Sequence, residues 1–143
     1  MKSRSPVAAC LVGCAALVLA GCEPSDGKVA VNGTVTFNGK PVEAGTVQFI
    51  HSATEADTVT VTNVAYTTRM TPGSKKVVVN AYRKTGELLR DPTDVNSGYP
   101  VVENYIPPNF NEATELSVEV TSKGGRHDFN LTGEDLIEKK KKK

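Results

Sequence analysis

Apolar and polar residues alternate with a period of two along much of this chain, the pattern of strands with one buried face. Val29, Val31, Val35 and Phe37 stand on one side of the first such segment, which begins at Lys28. Asn38-Gly39 follows it, a pair that accepts positive φ and predicts a hairpin. Thr46 to Ile50 forms the next predicted strand, with Val47 and Phe49 on one face. The Thr- and Val-rich stretch 57–62 and the segment 64–70 read as two more. Thr71-Pro72-Gly73-Ser74 is a turn, and a β-prone run around Val77, Val78, Val79 and Tyr82 leaves it. Residues 84–113 are dense in Pro, Gly, Asn and Asp. They are expected to form a long irregular loop, either a functional surface or a packed crossover. Beyond it Leu116, Val118 and Val120 alternate with Glu115, Ser117 and Glu119. Lys123-Gly124-Gly125 turns the chain, and Phe129 and Leu131 continue the apolar face. Almost nothing from the first strand to Leu131 patterns as a helix. The expected fold is all-β, an antiparallel sandwich of seven short strands.

The N-terminus follows a different pattern. Lys2 and Arg4 precede an apolar run from Val7 to Leu19, which closes on Leu19-Ala20-Gly21-Cys22. This is the layout of a secretory signal, with an apolar stretch too short to span a bilayer comfortably. The closing tetrapeptide matches the bacterial lipobox, in which a diacylglyceryl group is attached to the cysteine thiol before cleavage. Cys22 is therefore the expected lipidated first residue of the mature chain, and two or three acyl chains make such an anchor stable. The expected organisation is a signal peptide over 1–21, a tether over 22–27, a β-domain over 28–132 and a disordered Lys-rich tail over 133–143. The protein is expected on a membrane of the cell envelope, with the leaflet left open.

Composition narrows the picture further. Cys10 and Cys14 fall in the segment to be removed, so a mature chain has neither a disulfide nor a Cys-based metal site. The remaining 122 residues suit one domain with a single core. Segment 22–138 carries ten basic and sixteen acidic residues, a net of −6, which argues against nucleic-acid binding. The absence of Trp and the few aromatics argue against an aromatic sugar platform.

From Val31 to Leu131 the chain resembles the carboxypeptidase regulatory-like, or transthyretin-like, domains of many small bacterial lipoproteins, notably those of planctomycetes. Three segments carry the resemblance. Gly33-Thr-Val-Thr-Phe-Asn-Gly-Lys-Pro-Val-Glu-Ala-Gly-Thr-Val-Gln-Phe49 looks like the opening hairpin. Met70-Thr-Pro-Gly-Ser-Lys-Lys-Val-Val-Val79 is similar to the Pro-Gly turn and Val-rich strand. Tyr105-Ile-Pro-Pro-Asn-Phe-Asn111, Leu116-Ser-Val-Glu-Val120 and His127-Asp-Phe-Asn-Leu131 look like the usual ending. One departure is Thr62-Asn63-Val64-Ala65, which stands where the family has an Asp-x-x-Gly turn. The resemblance implies a prealbumin-like, Ig-like sandwich and says little about activity.

Candidate chemistry is sparse. His51 and His127 are the only histidines, and a zinc or catalytic site would need them to converge with a carboxylate such as Asp57. Hydrolases of 5-hydroxyisourate on this fold end in Tyr-Arg-Gly-Ser, whereas Tyr82-Arg83 is followed here by Lys84. No Gly-x-Ser-x-Gly elbow, phosphate-binding glycine loop or His-Glu-x-x-His is present. Asp91, Asp94 and Asn96 lack the Gly and distal Glu of a calcium loop. Lys139 to Lys143 either rests on anionic headgroups or wall polymers, or is simply solvated.

The reading that results is a membrane-anchored lipoprotein with a structural or interaction module, without catalysis and without a cofactor. Its partner is an envelope protein or, as the alternative, a glycan; a transthyretin-like hydrolase is the weakest reading. If the 84–113 loop binds, Tyr99, Tyr105, Ile106 and Phe110 are the expected contacts, unless they pack beneath it as core.

Overall fold

The computed structural model describes residues 26–143, except for the side chains at positions 91, 95 and 96. The predicted signal segment 1–21 and Cys22 lie outside the described residues. Among the described residues the chain is all-β, with a 3-10 turn at Pro108–Phe110 and one short α-helix at the C-terminal end. The strands are β1 (Val29–Phe37), β2 (Lys40–Pro41), β3 (Ala44–Ile50), β4 (Ala56–Thr62), β5 (Ala65–Met70), β6 (Gly73–Asp91), β7 (Asp94–Asn104), β8 (Ser117–Val120), β9 (Gly125–Arg126) and β10 (Phe129–Leu131). They form one curled, half-barrel sheet in the order β10-β1-β5-β4-β3-β6-β7, with β2 and β9 on β1 and β8 on β6. Most pairs are antiparallel, but β9 and β10 run parallel to β1 because the chain returns to it after the long excursion through β6 and β7.

The alternation predicted for β1 is what buries it. Val31, Val35 and Phe37 point into the core. Gly33 continues that row because a Cβ there would lie 1.8 Å from the carbonyl oxygen of His127. Val47 and Phe49 of β3, Val61 of β4, Tyr66 and Met70 of β5, and Val77, Val79 and Ala81 of β6 complete the enclosed face. Tyr66 stacks on Phe129 with centroids 6.0 Å apart, and Phe49 lies tilted against both rings. Such aromatic pairs add to the burial of their area.

Two turns use left-handed backbone. Asn38 and Gly39, at φ 51° and 75°, join β1 to β2 as predicted. Asn63 and Val64, at φ 49° and 82°, join β4 to β5. The second turn therefore has the form of a two-residue hairpin loop without its usual glycine.

Two sequence expectations fail here. Residues 84–113 are not a long irregular loop. β6 runs on to Asp91 and pairs with β7 from Tyr82↔Asn104 to Asp91↔Asp94. The turn-forming residues sit within this ladder at its irregularities, such as the register shift between Lys84 and Leu88, where Gly86 has φ 91°. Nor is the Lys-rich tail disordered, since Leu136–Lys141 is a helix, α1. Asp135 caps it by accepting from the N–H groups of Ile137 and Glu138, its basic last turn suits the helix dipole, and Ile137 is buried.

The register also gives the domain two distinct ends. Val29↔Met70, Ile50↔Ala56 and Ile50↔Lys76 mark one, where the chain enters from Asp26. Thr34↔Ala65, Ala44↔Thr62 and Gly45↔Ala81 mark the other. The β6–β7 hairpin leaves from this second end.

Candidate functional site

Beyond Ala81 the β6–β7 hairpin extends past the core, and its apolar side chains have nothing beneath them. Among the described residues the exposed large hydrophobics are Tyr82, Leu88, Leu89, Tyr99 and Val102, and all five lie on this hairpin. Leu89 is 67% and Tyr99 62% exposed, directly opposite each other across the ladder. Leu88 faces Pro100 on the other surface, which Tyr82 and Val102 share by the two-residue period. The hairpin is thus apolar on both sides.

Its base is braced by α1. Arg83 Nη2 lies 2.8 Å from the carboxylate of Asp135 and 3.2 Å from that of Glu138. The same guanidinium stands 4.8 Å from the ring centroid of Tyr105, a cation–π contact. Lys140 donates to Glu103 of β7 at 2.5 Å. A cleft of about 450 Å³ opens beside this network, lined by Asn38, Lys40, Glu43 and Tyr82 among others. Burial pushes the Tyr105 phenol above its ordinary range, against the opposing pull of Arg83.

Of the four residues expected to make contacts, only Tyr99 is available. Tyr105 and Ile106 are buried, with Tyr105 edge-on to Phe37 at 5.7 Å, and Phe110 packs against the core from a single 3-10 turn. These three are core because residues 105–111 return beneath the sheet, held by Asn111 Nδ2 donating to the Ile106 carbonyl. Tyr82, Leu88, Leu89 and Val102 are exposed contacts that the sequence reading does not single out. The signal available was the pair of adjacent apolar doublets, Leu88-Leu89 and Val101-Val102, on either side of Gly98, masked by the surrounding turn formers.

The histidines do not meet as a pair. His51 Nε2 and Asp57 Oδ2 are 2.5 Å apart, brought together by the short return from β3 to β4. His51 Nδ1 lies 3.4 Å from Thr71 Oγ1, and Lys75 Nζ donates to that same oxygen at 3.5 Å. His127 sits between β9 and β10, where its carbonyl accepts from Tyr66 and its buried Nε2 has no protein partner. Among the described residues, no three His, Cys, Asp or Glu side chains are grouped so as to hold a metal ion.

No family model and no curated relative matches the chain. Among solved structures it is similar to a 9R-lipoxygenase from Cyanothece, over 93% of this chain and 18% of that one, with 12% identity and a TM-score of 0.33. At that level the likeness says nothing of fold or activity.

Proposed function

We propose that this chain is an envelope lipoprotein, anchored through Cys22, whose β-domain presents the β6–β7 hairpin to a protein partner as a non-catalytic contact. The observation that carries the binding reading is the confinement of all five exposed large hydrophobics to one projecting hairpin. Large apolar side chains exposed together on one projecting element mark an interaction site, here with Leu89 and Tyr99 on one side and Tyr82, Leu88 and Val102 on the other. The transthyretin-like sandwich remains the finer reading of the fold. It is supported by the single residue pair, Thr62↔Ala65, that links the β1–β5 ladder to the β4–β3–β6 ladder.

Geometry favours a partner standing off the bilayer. Five residues lie between Cys22 and Lys28, six steps along the chain with a reach of at most ~20 Å. The chain enters at the end opposite the hairpin, which projects up to ~33 Å beyond Ala81. The lysines of α1 sit at the hairpin end, so contact with anionic headgroups gains no support from their placement. The glycan alternative is not favoured either, because Tyr82 and Tyr99 face opposite sides of the ladder and make no common platform.

Full-length protein and a Cys22→Ala variant, expressed in a lipoprotein-competent bacterium and weighed intact, test the anchor. A diacyl- or triacyl-sized increment on a chain beginning at Cys22, lost in the variant, is expected; an unmodified product cut elsewhere overturns it. A photo-crosslinking residue at position 99 is expected to trap one discrete envelope protein in living cells. Crosslinking no different from that at an exposed position outside the hairpin, such as Glu112, overturns the binding reading.

A further inference from the structure

At the end of the sheet where the chain enters, four side chains from separate parts of the sequence form a single directed chain of hydrogen bonds. Lys75 is a donor only, and with His51 neutral and Asp57 ionised the imidazole carries its proton on Nε2 and accepts at Nδ1; this tautomer sets the direction of the bonds. Lys75 Nζ donates to Thr71 Oγ1 (3.5 Å), the Thr71 hydroxyl donates to His51 Nδ1 (3.4 Å), and His51 Nε2–H donates to Asp57 Oδ2 (2.5 Å). Lys75 is only 4% exposed, and among the described residues no carboxylate pairs with it. Its other bond is to the Pro72 carbonyl, at 3.4 Å. Thr71 is exposed, and the cleft over it, about 450 Å³, is also lined by Lys28, Thr54, Glu55 and Ala56.

The geometry points to Thr71 as a nucleophile for carboxylic esters, with His51 as its base. Each requirement of an activated hydroxyl is met by a named group. The hydroxyl proton is aimed at an imidazole nitrogen. A carboxylate orients that imidazole and stabilises its protonated form. A buried ammonium stands against the oxygen that becomes an alkoxide. Bonds near 3.4 Å are loose, as such bonds often are before substrate closes the site.

In the first step Thr71 Oγ1 bonds to the ester carbonyl carbon while its proton passes to His51 Nδ1. The carbon–oxygen bond to the leaving alcohol breaks, and the alcohol takes that proton from His51. Water then attacks the acyl-threonine, giving a proton to His51. The carboxylic acid leaves as Thr71 Oγ1 recovers its proton. Asp57 keeps its charge throughout and is a positioning residue. This activity is independent of the hairpin reading and runs against the sequence expectation of a chain without catalysis.

The full chain in detergent is incubated with p-nitrophenyl acetate, following p-nitrophenolate release and the acetylated peptides by mass spectrometry. Release is expected to fall roughly 100-fold in His51→Gln and Thr71→Val, to persist in Thr71→Ser, and to stay unchanged in Tyr99→Ser. Acetyl is expected on the Thr71 peptide of the parent and to be absent there in His51→Gln. Asp57→Asn is expected to displace the pH–rate profile as well as lower the rate. Equal release in parent and Thr71→Val, or acetyl found only on lysines, overturns the proposal. Circular dichroism melts of each variant identify loss by unfolding, and Thr71→Ser, which keeps the hydroxyl, decides the matter if Thr71→Val is unfolded: an inactive but folded serine variant also overturns it.

Discussion

The phenol of Tyr66 donates to the backbone carbonyl of His127 at 2.6 Å, tying β5 to the link between β9 and β10 across sixty-one residues of sequence. Burial raises the Tyr66 phenol far above its ordinary range, which favours the protonated, donating form. Tyr66→Phe keeps the ring stack with Phe129 and deletes only the hydroxyl. It is expected to cost about 1–2 kcal/mol, because a partly buried carbonyl loses its partner. Urea unfolding of the two proteins gives the difference directly.

Val64 holds φ 82° in the β4–β5 turn, a region that β-branched residues enter only under strain. Its N–H donates to the Val42 carbonyl and its own carbonyl accepts from Val35, so the turn is fixed from both sides. Val64→Gly is expected to raise stability by about 1 kcal/mol, seen as a higher urea midpoint with an unchanged slope. A lower midpoint would mean that the valine side chain contributes more through packing than its backbone costs.

Asp128 accepts from Arg126 Nε and from both the N–H and the hydroxyl of Thr34. These bonds, led by the one from Arg126, hold its carboxyl down from 3.8 to about 2. A depressed folded value means the contribution is complete above the ordinary value and is lost as pH falls through the folded one. Asp128→Asn is therefore expected to flatten the pH dependence of stability between about pH 4 and pH 2. Urea midpoints across that range, compared with those at neutral pH, provide the check.

Ile106 and Tyr99, expected to belong to one surface, are 0% and 62% exposed. Ile106→Ala is expected to cost about 3 kcal/mol, while Tyr99→Ser or Leu89→Ser changes stability by no more than about 0.5 kcal/mol. Thermal melts of the three variants separate core from contact surface without any knowledge of the partner.

The legible parts of this fold were those where local pattern and tertiary role agree. Val31, Val35 and Phe37 alternate because one face of β1 is buried, and Asn38-Gly39 turns because its backbone demands it. The β6–β7 hairpin was hidden because Gly86, Pro100 and Gly98, which punctuate loops elsewhere, here sit inside a ladder with shifted register. α1 was masked by its lysines, although Asp135 followed by Glu138 three residues on is a helix-start signal. His51 and Asp57 meet through a β3–β4 hairpin whose loop carries no Gly or Pro to announce it. Lys75 and Thr71 join them only once β6 has been laid against β3.

The opposition between the entering chain and the hairpin gives the domain the character of a lever. Asp26 and Val29 stand at one end of the sheet, and the paired strands carry Leu89 and Tyr99 away from the other. Under the proposed anchor at Cys22, the ladder sets the height at which those two side chains are offered. Shortening the hairpin by a pair of residues on each strand would then lower that height by about 7 Å, with the core left untouched.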